Sequence, residues 1–255
     1  MPAFPLLALL AFAPTALSQA NTSYADYNTQ AQPDLYPGTT AKVDFSFPDC
    51  SNGPLSKTVV CDTTAKPHDR AAALIAMFTF EELVNSTGNV MPAIPRLGLP
   101  PYQVWNEALH GLDRANLTEF GDYSWATSFP SPILTMAALN RTLINQIGGI
   151  VSTQGRAFNN GGRYGLDVYS PNINSFRHPV WGRGQETPGE DIQLCSVYGL
   201  EYITGLQGGL DPKELKLAAT AKHFAGYDIE NWGNHSRLGN DMSISAFDFA
   251  SYYAP

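Results

Sequence analysis

The chain has 255 residues, 44% of them hydrophobic and 15% charged, with a net charge of −8. That length suits one large domain or two small ones, and the apolar content is ordinary for a globular core. The acidic balance, without a lysine or arginine run, speaks against nucleic acid and an anionic membrane as partners and leaves a neutral ligand as the better fit.

The first residues, MPAFPLLALLAFAPTALSQA, carry an apolar run from Phe4 to Leu17 followed by the small residues Ser18 and Ala20. The run is too short to span a bilayer and reads as a secretory signal over residues 1–20. The expected location is therefore extracellular, with no membrane partner. Asn-x-Ser/Thr glycosylation acceptors at Asn21, Asn85, Asn116, Asn140 and Asn234 agree with export. Cys50 and Cys61 flank a step rich in Ser, Gly and Pro, which in an oxidising compartment suggests a loop-closing disulfide. A zinc pair is the alternative, but no CxxC spacing supports it. Cys195 is left over, either buried in a helix or paired with a cysteine that this chain lacks.

Residues 21–66 are polar and without clear period, and read as an irregular N-terminal extension strapped to the domain surface. Pro67 opens a helix with the apolar face Ala73, Leu74, Met77 and Phe78. Thr79 to Glu82 is a capping-box pattern that starts a second short helix. A strand is expected over Pro101 to Trp105, ending in Asn106-Glu107-Ala108-Leu109-His110-Gly111. A second apolar run, Phe129 to Leu134, precedes a helix from Asn140 to Phe158, with Leu143, Ile147, Ile150 and Val151 on one side. Asn and Gly at 159–162 stop it. The strand Leu166–Tyr169 follows, then a polar loop to Asp191, a helix Ile192–Leu206 closed by Gly208 and Gly209, and a strand Leu217–Phe224. Ser245 to Tyr253 begins another helix.

Strand, loop and helix alternate with connections long enough for parallel crossovers, which indicates an α/β fold class. Polar, Gly-rich material follows the carboxyl ends of the strands, as in a TIM-like (β/α)8 barrel. A doubly wound sheet is the rival, but no GxGxxG follows the first strand. A barrel needs about 250 residues of its own. Residues 67–255 are fewer, so the expectation is the N-terminal part of a barrel, apparently truncated.

The chemistry gathers in three stretches. Glu107 lies two residues from Trp105, pairing a carboxylate for hydroxyl protons with an aromatic face for a sugar ring. Its bland alternative is an ion pair with a neighbouring arginine. Arg183 offers a planar fork to two adjacent hydroxyls; the alternative is an ion pair with Glu186, Glu190 or Asp191 that merely folds the loop. For Arg177 and His178 that loop-folding role is expected. Lys222 and His223 are neighbours on a strand and should face opposite ways unless the strand bends there, which Phe224-Ala225-Gly226 allows. No metal-ligand spacing among the histidines and no GxSxG or Walker motif is present, so neither metal nor cofactor is expected.

Together VWNEALHG (104–111), YSPNINSFRHPVWGRGQETPGED (169–191) and AKHFAGYDIENW (221–232) resemble the family 3 glycoside hydrolases, and within them the secreted fungal β-xylosidases. The resemblance runs in order from about Arg70 to the C-terminus. It implies an exo-acting, retaining hydrolase that removes xylose from the non-reducing ends of xylo-oligosaccharides. It further implies that Arg183, Lys222 and His223 hold the ring hydroxyls at the carboxyl face of a barrel. Glu107 stands where the family's glucosidases carry Asp; its extra methylene, walled by Trp105, would fill the space of a hexose hydroxymethyl and so favour a pentose.

Retaining glycosidases need a nucleophilic carboxylate and an acid/base. The resemblance implies a nucleophile in a Ser-Asp-Trp or Ser-Asp-Cys segment, and this chain contains no Ser-Asp dipeptide. The nucleophile is expected beyond Pro255 and the acid/base in a later domain, so no catalytic residue is assigned and the chain alone should be inactive. The alternatives are a β-glucosidase, an α-L-arabinofuranosidase, or a non-catalytic sugar-binding protein.

Overall fold

The computed structural model describes residues 48–113, 115, 117 and 121–255. The expected signal (1–20), residues 21–47 of the extension, and the acceptors Asn21 and Asn116 lie outside the described residues. Asn85, Asn140 and Asn234 are exposed.

The described part of the extension does more than lie on a surface. Cys50 and Cys61 are disulfide-bonded, and Leu55 and Val60 are buried with Ile94, Leu97 and Leu99 in a small apolar cluster. Helix α1, Pro67–Ile75, covers that cluster with Ala73 and Leu74, and Met77 and Phe78 continue the face. Pro67 sits where a missing N–H costs nothing. Helix α2, Phe80–Asn85, starts at a reciprocal capping box: Glu82 N–H donates to Thr79 Oγ1 at 3.2 Å and Thr79 N–H to Glu82 Oε2 at 2.8 Å. Strands β1, Val90–Met91, and β2, Tyr102–Gln103, pair antiparallel. The expected strand at 101–105 thus narrows to Tyr102–Gln103, and its partner is a local segment; extended propensity says nothing of the partner. The apolar run at Phe129–Leu134 turns into helix α3, Pro132–Ala137, again opened by proline.

The main core lies between helix α4, Arg141–Asn160, and helix α5, Ile192–Gln207. Asn140 and Asp191 cap their N-termini, accepting from Leu143 N–H at 3.0 Å and Leu194 N–H at 2.8 Å. Ile144, Ile147, Val151 and Phe158 pack with Tyr198, Tyr202 and Leu206. The expected face of α4 is half right, since Leu143 and Ile150 stay 37% and 45% exposed. The true contact rotates towards Gly148, Ser152 and Gly155. A methyl group on Gly148 would lie 2.7 Å from Tyr202 O, and one on Gly205 2.3 Å from Asn145 O. Backbones meet there directly, and a hydrophobic pattern does not register a contact made by glycines.

Gly208, at φ 86°, ends α5. Strand β3, Asp167–Val168, pairs in parallel with β4, Ala218–Ala219, and a parallel bridge between Asn172 and Lys222 extends the pairing. Beyond it, β5, Asn231–Trp232, and β6, His235–Ser236, form a hairpin around Gly233. Ser245 caps a helical turn, Ala246–Asp248, continued by a π-turn over Phe249–Tyr253. The architecture is mixed α/β. Among the described residues no helix is long and apolar enough to cross a membrane.

Candidate functional site

The stretches singled out in the sequence converge beside the β3–β4 pair. Asn106, fully buried, locks the first of them: its Nδ2 donates to Gln103 O at 3.0 Å and Asp167 O at 2.9 Å, while Gly165 N–H donates to its Oδ1 at 3.0 Å. Gly165 has no room for a side chain, because a Cβ would fall 2.2 Å from both Asn106 Nδ2 and Gln103 O. Two buried tyrosines prop the following carbonyls. Tyr164 OH donates to Glu107 O and Tyr202 OH to Ala108 O, each at 2.6 Å. Ala108 N–H donates to Ser170 Oγ at 2.9 Å. Glu107 is thereby held from its own backbone outwards.

Its carboxylate takes Trp105 Nε1–H at 3.0 Å on one oxygen and the Lys222 ammonium at 2.7 Å on the other. The bland reading anticipated an arginine; the partner is a lysine over a hundred positions away. The Glu107 and Lys222 side chains are 18% and 12% exposed, so water screens the pair only in part.

Lys222 and His223 both lie in this cluster. The regular strand stops at Ala219 and only a bridge remains at Lys222, so the alternation of a strand does not apply to the pair. The peptide between them is cis. His223 lies edge-on to Tyr227 and Trp181, with ring centroids 4.6 and 6.3 Å away. Burial, then the charges of Arg183, Lys222 and Arg237, push its pKa down to about 3.

Arg183 makes a bidentate pair with Glu186, at 2.8 and 2.6 Å, and donates to Tyr227 OH at 3.1 Å. Glu230 lies 3.8 Å from its Nη1. The loop-folding ion pair with Glu186 is therefore real, and the same guanidinium also reaches across to the segment after His223. Arg237 donates to the same Tyr227 hydroxyl at 3.0 Å and lies 3.7 Å from Glu230. Arg177 departs from expectation: it does not fold its own loop but pairs with Asp248 at 3.6 Å, donates to Tyr253 OH at 2.9 Å and stacks on Tyr252 at 4.5 Å. Tyr253 in turn donates to buried Asp228 at 2.6 Å. Sequence reading missed Asn174, Tyr227, Arg237 and the props Tyr164 and Tyr202. Single aromatic and amide residues carry no spacing signal; proximity of Tyr227 to the Lys–His pair was the one clue.

The depressed histidine has a consequence for stability. An unfolded histidine takes up a proton near pH 6.5, well before the folded one at about 3. Neutral His223 therefore contributes stability near neutrality that is lost as pH falls through that window. After solvent screening of the half-buried ring, the loss is about 1 kcal/mol per pH unit. Urea midpoints measured from pH 7 to pH 4 should fall less steeply in His223→Gln than in the wild type. Parallel slopes would remove His223 as the cause.

The chain is 73% identical over 248 residues to a probable exo-1,4-β-xylosidase xlnD of Aspergillus clavatus, covering 97% of this chain and 31% of that protein. It is 68% identical over 249 residues to exo-1,4-β-xylosidase xlnD of Aspergillus niger, again 97% of this chain and 31% of the relative. A solved GH3 exo-β-xylosidase (XlnD), in complex with a xylobiose aziridine activity-based probe, superposes with a TM-score of 0.80 at 67% identity, over 91% of this chain and 30% of that one. The chain thus spans about a third of the length of these relatives. Residues 101–246, which include Glu107, Arg183, Lys222 and His223, match the model of the glycosyl hydrolase family 3 N terminal domain. The chain belongs to glycosyl hydrolase family 3.

Proposed function

We propose that this chain provides the non-reducing-end sugar subsite of a secreted, retaining exo-β-xylosidase acting on xylo-oligosaccharides. The observation that carries the reading is the convergence of Glu107, Trp105, Lys222, Arg183 and His223 from three distant stretches into one polar cluster. Carboxylates and cations lie side by side there, next to the rings of Trp181 and Tyr227. The names of the relatives support xylose over other sugars, and the anchoring of Glu107 by Trp105 and Lys222 supports reading its carboxylate as the group that excludes a hydroxymethyl. The parallel β3–β4 pair with its α5 crossover supports assigning residues 67–255 to the first part of a (β/α)8 barrel. The disulfide and the exposed acceptor asparagines support export, with residues 1–20 as the signal.

Calorimetric titration with xylose and with glucose tests this. A single extra group in a fitted pocket is worth about 1–3 kcal/mol, so xylose should bind about tenfold or more tighter than glucose. Glu107→Asp, one methylene shorter, should narrow that ratio. Saturable glucose binding equal to xylose, or no xylose binding at all, would overturn the proposal.

A further inference from the structure

His223 contacts the side-chain oxygen of Asn174 twice. Its backbone N–H donates to Asn174 Oδ1 at 2.6 Å, and its ring Nδ1 lies 2.9 Å from the same atom. A peptide N–H can only donate, so the atom it meets is the oxygen of the amide and not the nitrogen. An oxygen facing Nδ1 then requires the proton to sit on Nδ1. Asn174 cannot easily turn away, since it is 7% exposed and its own N–H donates to Asn172 Oδ1 at 2.9 Å.

We propose that Asn174 is a positioning residue that holds His223 as the Nδ1–H tautomer, so that Nε2 presents a lone pair and accepts a hydroxyl proton from the ligand. The use of Nε2 rests on the sugar-binding reading above; the tautomer does not. The groups around the ring act in the same direction. Lys222 beside it and Arg183 and Arg237 facing it disfavour a second ring proton, while Tyr227 and Trp181 flank it edge-on. Lys222 and Arg183 can only donate. A hydroxyl both donates and accepts, and a neutral His223 with a bare Nε2 gives it an acceptor among these donors.

Long-range 1H–15N correlation spectra of the full chain, labelled at its 5 histidines, read the tautomer directly. His223→Gln identifies the resonance. At pH 7 the wild type should show Nδ1 as the protonated nitrogen and Nε2 as the bare one. Asn174→Leu removes the acceptor at nearly constant shape and should release His223 towards the Nε2–H form, whereas Asn174→Asp keeps an oxygen and should keep the Nδ1–H form. A wild type already in the Nε2–H form, or an Asn174→Leu protein unchanged from wild type, overturns the role of Asn174. If Asn174→Leu does not fold, the wild-type and Asn174→Asp spectra still decide. Saturating xylose should then shift the Nε2 resonance. The predicted tautomer with no Nε2 response to xylose overturns the acceptor role. Only if calorimetry also shows no xylose binding does it overturn the sugar reading; either way the Asn174 contact stands as a purely local one.

Discussion

Lys222→Met is expected to lower stability by about 3 kcal/mol and to abolish measurable xylose binding. Methionine keeps the apolar stem of lysine and removes only the charge. Glu107 is then left as a largely buried carboxylate with Trp105 Nε1 as its remaining neighbour in the pair. Breaking one side of such a pair costs about 3–5 kcal/mol when burial is complete, and the residual exposure of both partners places this case at the lower end. Urea denaturation gives the first quantity and xylose titration the second. The double change Lys222→Met with Glu107→Gln separates them. Removing the orphaned charge should restore most of the stability but none of the binding, because a sugar hydroxyl still lacks its cation. Should Lys222→Met bind xylose as well as wild type, the ion pair is architectural and the subsite lies elsewhere.

Gly205→Ala should be costlier to the fold than its size suggests. The added methyl would meet Asn145 O at 2.3 Å, Gly149 N at 3.0 Å and Gly148 Cα at 3.1 Å, all backbone atoms that cannot rotate aside. Helices α4 and α5 must separate. That breaks the contacts of Asn145 Nδ2 with Glu201 O at 3.1 Å and with Thr204 Oγ1 at 2.8 Å, and loosens the packing around Tyr202. Overpacking of this kind costs about 1–3 kcal/mol, and more where the obstacle is main chain. Because Tyr202 props the carbonyl next to Glu107, the same variant should also weaken xylose binding. Gly149→Ala, inside helix α4 where an added methyl meets nothing within 4 Å, is the matched control and should be at least as stable as wild type. Equal thermal midpoints for the two variants would show that the helices can yield.

Local signals made much of the framework readable in advance. Pro67, the Thr79–Glu82 box, Asn140 and Gly208 each mark a helix end through a backbone requirement that only a few residue types meet, and each stands where that chemistry asks. The cluster residues were legible through their motifs, which carry specific spacing. What stayed hidden depends on approach between distant segments. The α4–α5 contact is made by glycines, so a search for apolar stripes chose Leu143 and Ile150 instead. Arg177 was assigned to its own loop because sequence proximity favours Glu186 and Glu190; the structure brings in Asp248 and Tyr253 from the far end of the chain. Tyr164 and Tyr202 carry no motif in the sequence, and only their hydroxyl contacts show them holding the segment around Glu107.

The ion pairs at the site set Lys222, Arg183 and Arg237 against Glu107, Glu186 and Glu230. Each of these cations is matched at short range, so the cluster projects little field even though the whole chain carries −8. An uncharged ligand is then neither drawn in nor repelled from a distance. Its capture is unsteered diffusion, and its retention depends on fit over the last few ångströms. Dissolved salt screens interactions over about 10 Å and has little here to act upon. On the proposed sugar-subsite reading, a cluster neutralised within itself selects its ligand by shape and hydrogen bonding, so xylose affinity should change little with ionic strength.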